Sequence, residues 1–543
     1  MSTPTKLRPD ATLAQDRRPM LCPAIVPATI GLAISLAVAA DAVLREGING
    51  AAFPLWIAMV VSSLAVLAWR AGETISREAR GWLLAAVVFS LGLVWRDSET
   101  LQALDFLATV TALMAAAASL NAPRAVLLAP RLRHVLQTVI RTLRSIAGDF
   151  GALLFRDAAA RVDSSKWSAL GRRALYVGLL AGVITLVFGS LLADADPIFA
   201  SFITLPRVDI GEIVRHVVVI AVLTWTIGGW ARGALIEKPE SPARIGTSPW
   251  PLGALEMNTI FITLIVLFGA FILTQLGWLF GGEAFLRERT GLTAASYARK
   301  GFFQMVWIVV LVIPLLVGTR AMLRPGWSLA RLHTRLALPV IALLGAIIVS
   351  AALRMQLYVR YYGLSIERFY PLVFMGWLAF VLVWLAVTTL RGRPRRFGPG
   401  VALSALATLA GLNVVSPDRV VARVNVARSA IAGTQPLDVS YLGTLSGEAI
   451  DWTVPAILSD ANASAESPAK SPPIDRCRAL KRILNRWGPT RQGDWRTWNA
   501  GTSHAASVVG AHAAELESIR SDACARAEAE RATRVQSDRD QRD

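Results

Sequence analysis

Long apolar runs without a single charge recur along this chain, and they constrain its fold more than any other feature. A helix needs about 20 such residues to cross ~30 Å of hydrocarbon, where every backbone polar group must be paired internally. Spans are predicted at 24–44, 51–69, 81–95, 101–120, 174–193, 214–236, 255–280, 302–322, 336–354, 369–390 and 400–415, the third and eleventh being short. Composition agrees: 54% of residues are hydrophobic and 17% charged, where soluble domains carry about 25% charged residues. The fold class is all-α, a polytopic transmembrane helical bundle of about eleven spans by the apolar-run criterion, with a C-terminal extramembrane tail.

The charges gather between the spans. Loops that share a side with the N-terminus hold 28 Lys and Arg, the N-terminus included; the opposite loops hold 11, and the tail from residue 416 holds 17. Basic loops stay in the cytoplasm, so the N-terminus is expected there, and eleven crossings put the tail outside. The same rule explains the net charge of +18 without nucleic acid, and the bilayer is the expected partner. Trp69, Trp82, Trp95, Trp230, Trp278 and Trp327 fall near span ends, as an interfacial belt requires. Arg17 and Arg18 before an apolar run ending in small residues at 37–42 also fit a cleaved signal. The length of that run favours a retained helix.

Six regions follow: a cytoplasmic N-terminus (1–23), a four-span bundle (24–120), a basic cytoplasmic segment (121–173), a seven-span core (174–415), an extramembrane tail (416–500) and a charged end expected to be disordered (501–543). In 124–173, Leu132, Val135, Leu136, Val139, Ile140, Leu143 and Ile146 recur at helical spacing among Arg131, Arg133, Arg141 and Arg144. Two readings stand: an amphipathic helix on the anionic leaflet, or a helix packed under the bundle. Either this segment or the tail is a surface for a protein partner. Residues 416–458 mix strand-like and helical pieces, and 459–475 reads as a linker rich in Ser, Ala and Pro.

Signatures of chemistry are few. The chain has no phosphate loop, no H-E-x-x-H and no G-x-S-x-G. The three cysteines and five histidines lack metal-ligand spacing, so no metal or cofactor is expected; the missing catalytic signatures weigh against an enzyme without deciding it. Asp41, Asp105 and Glu256 lie inside spans near their ends, where snorkelling or pairing is the ordinary explanation. The outer loops are richer. Asp194 and Asp196 sit at the mouth of the fifth span, Gln275 near the end of the seventh, and Tyr297 and Arg299 before the eighth. Arg354, Tyr358 and Tyr362 close the ninth span, and Arg368 follows. In the eleven-span topology all nine face one side and form a candidate polar pocket, with Arg suited to carboxylate or phosphate. Ordinary interfacial anchors and ion pairs between loops would look the same.

These stretches also carry a resemblance. Phe188-Gly-Ser190 through Asp196-Pro197-Ile-Phe199, Gln275 through Gly282, Tyr297 through Phe303, Arg354 through Tyr358, Tyr362-Gly363-Leu364 and Arg368-Phe369-Tyr370 recur in order. They are followed by Asn413 through Asp418, Ala422-Arg423-Val-Asn425, and Asp494-Trp495-Arg496-Thr-Trp498-Asn499. Over roughly 170–500 the chain resembles a family of bacterial polytopic membrane proteins catalogued as domain of unknown function four-one-seven-three. Before Pro417 that pattern expects Asn where this chain has Ser416. The resemblance implies the bacterial inner membrane and supplies no reaction, ligand or cofactor. It gives weight to a tail that docks over the outer ends of spans five to ten. Cys477 and Cys524 would then share an oxidising compartment in which they can pair.

Three functions fit. The first is a sensory, scaffold or envelope-assembly protein with an outer polar pocket. The second is a transporter or channel for a small, anionic solute, although no internal repeat is found. The third is an intramembrane enzyme on a lipid-linked substrate, using Asp194 or Asp196 with Arg299 and Arg354.

Overall fold

The structure is a computed structural model. It describes residues 25–70, 72, 74–120, 143–153, 177, 181, 210–235, 252–290, 302–324, 326–431, 436–466, 472–489 and 494–540. Ten of the described helices are long and apolar enough to cross a membrane. They lie in α1 (Ile25–Val43), α2 (Ala52–Arg70), α3 (Arg77–Trp95), α4 (Glu99–Leu120), α5 (Ile210–Leu235), α6 (Ala254–Thr290), α7 (Phe302–Ala321), α8 (Trp327–Tyr362), α9 (Ile366–Thr388) and α10 (Phe397–Val415). The expected spans match these one for one, except that at 174–193, of which only residues 177 and 181 are described. The short third and eleventh spans gain a turn at their N-terminal ends. The ninth is far longer than its apolar run, because α8 carries charged and aromatic turns at both ends.

The chain forms two compact units. The smaller comprises residues 1–42, 59–76 and 140–238. Here the helical segment 145–152 lies on α5, over a surface of small residues. A side chain at Gly229 would meet the Ser145 carbonyl at 2.6 Å, and one at Gly228 would meet the Phe150 ring at 2.3 Å. Small residues let helix backbones approach this closely in lipid. Ser145 donates to the Gly229 carbonyl at 2.8 Å, Trp225 donates to the Ala147 carbonyl at 2.9 Å, and Asp149 lies 3.4 Å from Arg232. This described part of the basic segment is therefore packed against a span. In the same unit Asp41 Oδ1 lies 2.8 Å from His216 Nδ1, within hydrogen-bond reach.

The larger unit comprises residues 43–58, 77–139 and 239–543. α6, α7, α8 and α9 share an apolar core that includes Met257, Phe261, Val309, Leu344, Ile347 and Met375. The tail is helical: α11 (Pro417–Ser429), α12 (Val439–Leu442), α13 (Ile450–Glu466), α14 (Pro473–Trp487), α15 (Ala500–Ala511) and α16 (Ala513–Asp540). No strand occurs among the described residues, which corrects the strand-like reading of 416–458. The physical reason lies in α11: Pro417 at its first turn favours a helix start, and Val421 and Ala422 are buried on one face. α14 is amphipathic, with Cys477, Leu480, Ile483 and Trp487 buried and Arg478, Lys481 and Arg482 outside. Its apolar stripe meets Val439, Ile450, Val454, Ile457, Ala505, Val509 and Leu516 in a second core, so the tail has its own interior. Cys477 and Cys524 form a disulfide that ties α14 to α16. The stretch expected to be disordered is instead helical over Ala513–Asp540, and Leu516 is fully buried.

This cap is joined to the span ends by close contacts. At Gly50, ahead of α2, an added Cβ would lie 2.6 Å from the Arg496 carbonyl oxygen and from backbone carbons of Thr497. Backbone cannot yield as a flexible side chain can. Gly50→Ala is expected to displace the 495–497 turn and destabilise the cap by about 1–3 kcal/mol, read as a lower thermal midpoint of the purified protein in detergent.

Candidate functional site: a buried clasp between the cap and the span ends

The strongest constellation of polar side chains centres on the three-residue link from α3 to α4. The last turn of a helix leaves carbonyls without intrahelical partners. At the end of α3 they are met by Asn499, whose amide donates to the Leu93 carbonyl at 2.8 Å and the Arg96 carbonyl at 2.7 Å. The same side chain accepts from the Thr502 amide at 3.1 Å and so caps α15. One residue thus closes two helix ends that lie about four hundred residues apart in sequence.

Asp97 and Glu448 form the second part. The Asp97 amide donates to Glu448 Oε1 at 2.6 Å, and the Gly447 amide donates back to Asp97 Oδ2 at 2.8 Å. Thr502 donates to Asp97 Oδ1 at 2.8 Å, and the Arg486 guanidinium lies 3.1 Å from Oδ2. Glu448 Oε2 accepts from the Ser446 hydroxyl, and Asp418 Oδ1 accepts from the Ser446 amide at 3.1 Å. Arg96, Asp418, Glu448 and Asn499 are all buried. Below this layer, within the membrane, Asn413 donates to Asp105 Oδ1 at 2.9 Å. Asp105 is the fully buried carboxyl that the sequence marked, and its other oxygen packs against Gly92, where a side chain would collide at 2.1 Å.

Burial dominates the electrostatics. It pushes the Glu448 carboxyl up, against the hydrogen bonds from Ser446 and the Asp97 amide that favour the charged form. It pushes Asp418 up as well, against the Ser446 amide. Burial lowers Arg96, partly offset by Glu448. A carboxyl raised on folding binds its proton more tightly in the folded state. The contribution of Glu448 and Asp418 is therefore complete below the ordinary carboxylate range and is lost as pH rises through their elevated values. Cap unfolding monitored across mildly acidic to alkaline buffers is expected to show stability falling over that rise, and Glu448→Gln is expected to flatten the profile.

A second joint lies at the turn from α8 to α9. Asn425 of α11 accepts from the Leu364 amide at 2.9 Å and donates to the Leu364 carbonyl at 2.6 Å. Arg428 donates to the Val359 and Arg360 carbonyls at 3.3 and 3.0 Å. The Tyr441 hydroxyl accepts from the Ile366 amide at 2.8 Å, and burial pushes its ionisation up to about 12. Val421, Ala422, Leu442, Leu445 and Ala449 pack here with Leu364, Ile366 and Phe369.

Of the nine pocket residues expected from sequence, Tyr358, Tyr362 and Arg368 come together at this joint. The two rings are 5.0 Å apart, and the Arg368 guanidinium lies 4.3 Å over Tyr358 and 5.8 Å from Tyr362. Arg368 also donates to the Tyr362 carbonyl at 3.1 Å and to that of Gly363. Its contacts are rings and backbone, which fix the turn. Arg354 is buried in α8, one turn before Tyr358. Asp194, Asp196, Tyr297 and Arg299 lie outside the described residues, as does the side chain of Gln275. Asp97 and Glu448 were missed. Asp418, Asn425 and Asn499 had a signal, since each stands in a stretch that carried the family resemblance, yet the residues alone gave them no role.

No curated protein and no solved structure matches the chain. One family model does, over residues 83–454, which is more than half of the sequence. It is not the family numbered four-one-seven-three that the motifs suggested, although both are domains of unknown function. The match runs from within α3 to within α13, so it takes in Asp97, Asp105, Asn413, Asp418 and Glu448 and leaves out Asn499 and the disulfide. The chain belongs to the family described as domain of unknown function (DUF4153).

Proposed function

We propose that this integral membrane protein is a sensory, scaffold or envelope-assembly component of the bacterial inner membrane, working through its cap on the extracytoplasmic face. The observation that carries the reading is the use made of the buried polar groups. Asp97, Glu448, Asn499 and Asn425 are spent on holding the cap to the span ends. Protein that is fixed in this way presents a surface at a constant distance and orientation from the membrane. The side follows from parity and charge. Under eleven crossings the loops at 44–51, 96–98 and 363–365 and the start of the tail share the side opposite the basic loops. The Cys477–Cys524 disulfide suits an oxidising compartment.

Charge reversal on the exposed face of α14, Arg478→Glu with Lys481→Glu, tests the reading. A cap that works as a surface is expected to lose its function in an envelope-integrity assay while the thermal midpoint stays at the wild-type value. Full function in that variant, with loss on substitution of Asn413 within the bundle, would favour a solute path instead. Labelling Lys481→Cys in intact cells with a membrane-impermeant thiol reagent checks the side.

A further inference from the structure

Trp495 and Trp498 are 56% and 50% exposed, in a tail whose other clustered tryptophan, Trp487, is buried in the cap core. Their position is fixed by the span ends. The Trp498 carbonyl accepts from the Ala51 amide at 3.1 Å, immediately before α2 begins. The next residue, Asn499, holds the terminal carbonyls of α3. The Trp498 amide bonds to the Trp495 carbonyl at 3.2 Å, so the two indoles belong to one tight turn. α2 and α3 have 19 residues each, which makes both about 28 Å long, close to the thickness of the hydrocarbon layer. Their ends therefore mark its boundary, and a turn bonded to both ends lies in the headgroup layer. Trp95, the last residue of α3, is 49% exposed at the same level, with the Arg96 guanidinium 4.1 Å from its ring. Ile48 in the adjoining loop is exposed as well.

We infer that the turn 494–498 is a membrane-surface anchor of the cap, with Trp495 and Trp498 immersed among lipid headgroups beside Trp95. Indole suits that layer because its ring is apolar while its N–H can bond to a headgroup or water. The cap is thereby held from two directions: by the buried clasp inward and by lipid outward. This inference depends on the docked position of the turn and not on which side of the membrane the cap faces, so it stands apart from the functional reading above.

The test is a nitroxide label placed at 495 or 498 through Trp495→Cys or Trp498→Cys, one at a time so that the other indole holds the turn. Cys22 is replaced by serine, and the protein is reconstituted in phosphatidylglycerol–phosphatidylethanolamine vesicles. Collision with oxygen, which concentrates in lipid, is compared with collision with a water-soluble nickel chelate. Glu530→Cys on α16 gives the aqueous reference, and Val383→Cys, exposed within the apolar run of α9, the hydrocarbon reference. The oxygen-to-nickel ratio at both positions is expected to lie several-fold above Glu530→Cys and several-fold below Val383→Cys. A ratio equal to either reference overturns the inference. Low access to both reagents also overturns it, because a second protein surface then covers the turn.

Discussion

Replacing Glu448 by alanine is expected to free the cap from the α3–α4 link. The variant loses the acceptor of the Asp97 amide and the partner of the Ser446 hydroxyl, and it removes the carboxylate whose charge offsets the burial of Arg96. Breaking a buried charged network from one side costs about 3–5 kcal/mol, because the remaining groups stay buried without partners. Glu448→Gln keeps an acceptor for the Asp97 amide. The glutamine variant is therefore expected to cost less than the alanine one, about 1 kcal/mol, the value of one ordinary hydrogen bond. Thermal unfolding in detergent, with limited proteolysis to see whether the cap is released first, separates the two variants. An alanine variant as stable as the wild type would show that this layer does not hold the cap.

Opening the Cys477–Cys524 bridge is the second large perturbation. The two residues are 47 apart in sequence and join α14, whose apolar stripe fills the cap core, to α16, which is polar over most of its length. Closing a loop of that size removes unfolded-state entropy worth about 4 kcal/mol in the chain-entropy account. α16 has little apolar surface of its own, with Leu516 and Ile519 as its main contributions to the core. Reduction is therefore expected to lower the cap midpoint and to expose the chain beyond Ala513 to protease. Cys477→Ser with Cys524→Ser is expected to reproduce both effects and to abolish any further response to reductant. Equal protection with and without reductant would mean that α16 is held by packing alone.

The membrane helices were legible in sequence because length and hydropathy act locally. A run such as 302–322 announces itself without reference to the rest of the chain. The cap was harder to read. α11 carries Val420, Val421, Val424 and Val426, a β-branched set that favours strand in isolation. Packing of its Val421 face against Leu442 and Leu445 decides for helix. The long tail helix 513–540 has the composition of a disordered segment, and its order goes with a disulfide and a short apolar face of Leu516, Ile519, Ala523 and Ala527, which composition does not reveal. The clasp was the least legible part. Its members are single residues contributed by segments three to four hundred positions apart, with no spacing that marks them. Tyr358 and Tyr362 were legible as a pair because four residues make one helical turn, and the ring contact follows from that period.

Ser416 sits at a point of local backbone strain. It has φ +55°, and it is the only residue other than glycine with a positive φ among the described residues. That region is more accessible to Asn than to most side chains. The resemblance expected Asn at this junction, where α10 turns into α11. Ser416 is held in this conformation by burial and by its backbone bonds to Leu412 and Val420.

The claim on which everything else rests is that the tail is clasped onto the α3–α4 link. It is tested most directly by Asp97→Cys paired with Thr502→Cys, whose native side chains are 2.8 Å apart, in the full chain in native membranes. Mild oxidation is expected to cross-link the pair, so that fragments cut between residues 97 and 477, which the native Cys477–Cys524 bridge does not join, stay together until reductant is added. Fragments that separate without reductant, while the Cys477–Cys524 bridge is intact, would contradict the clasp.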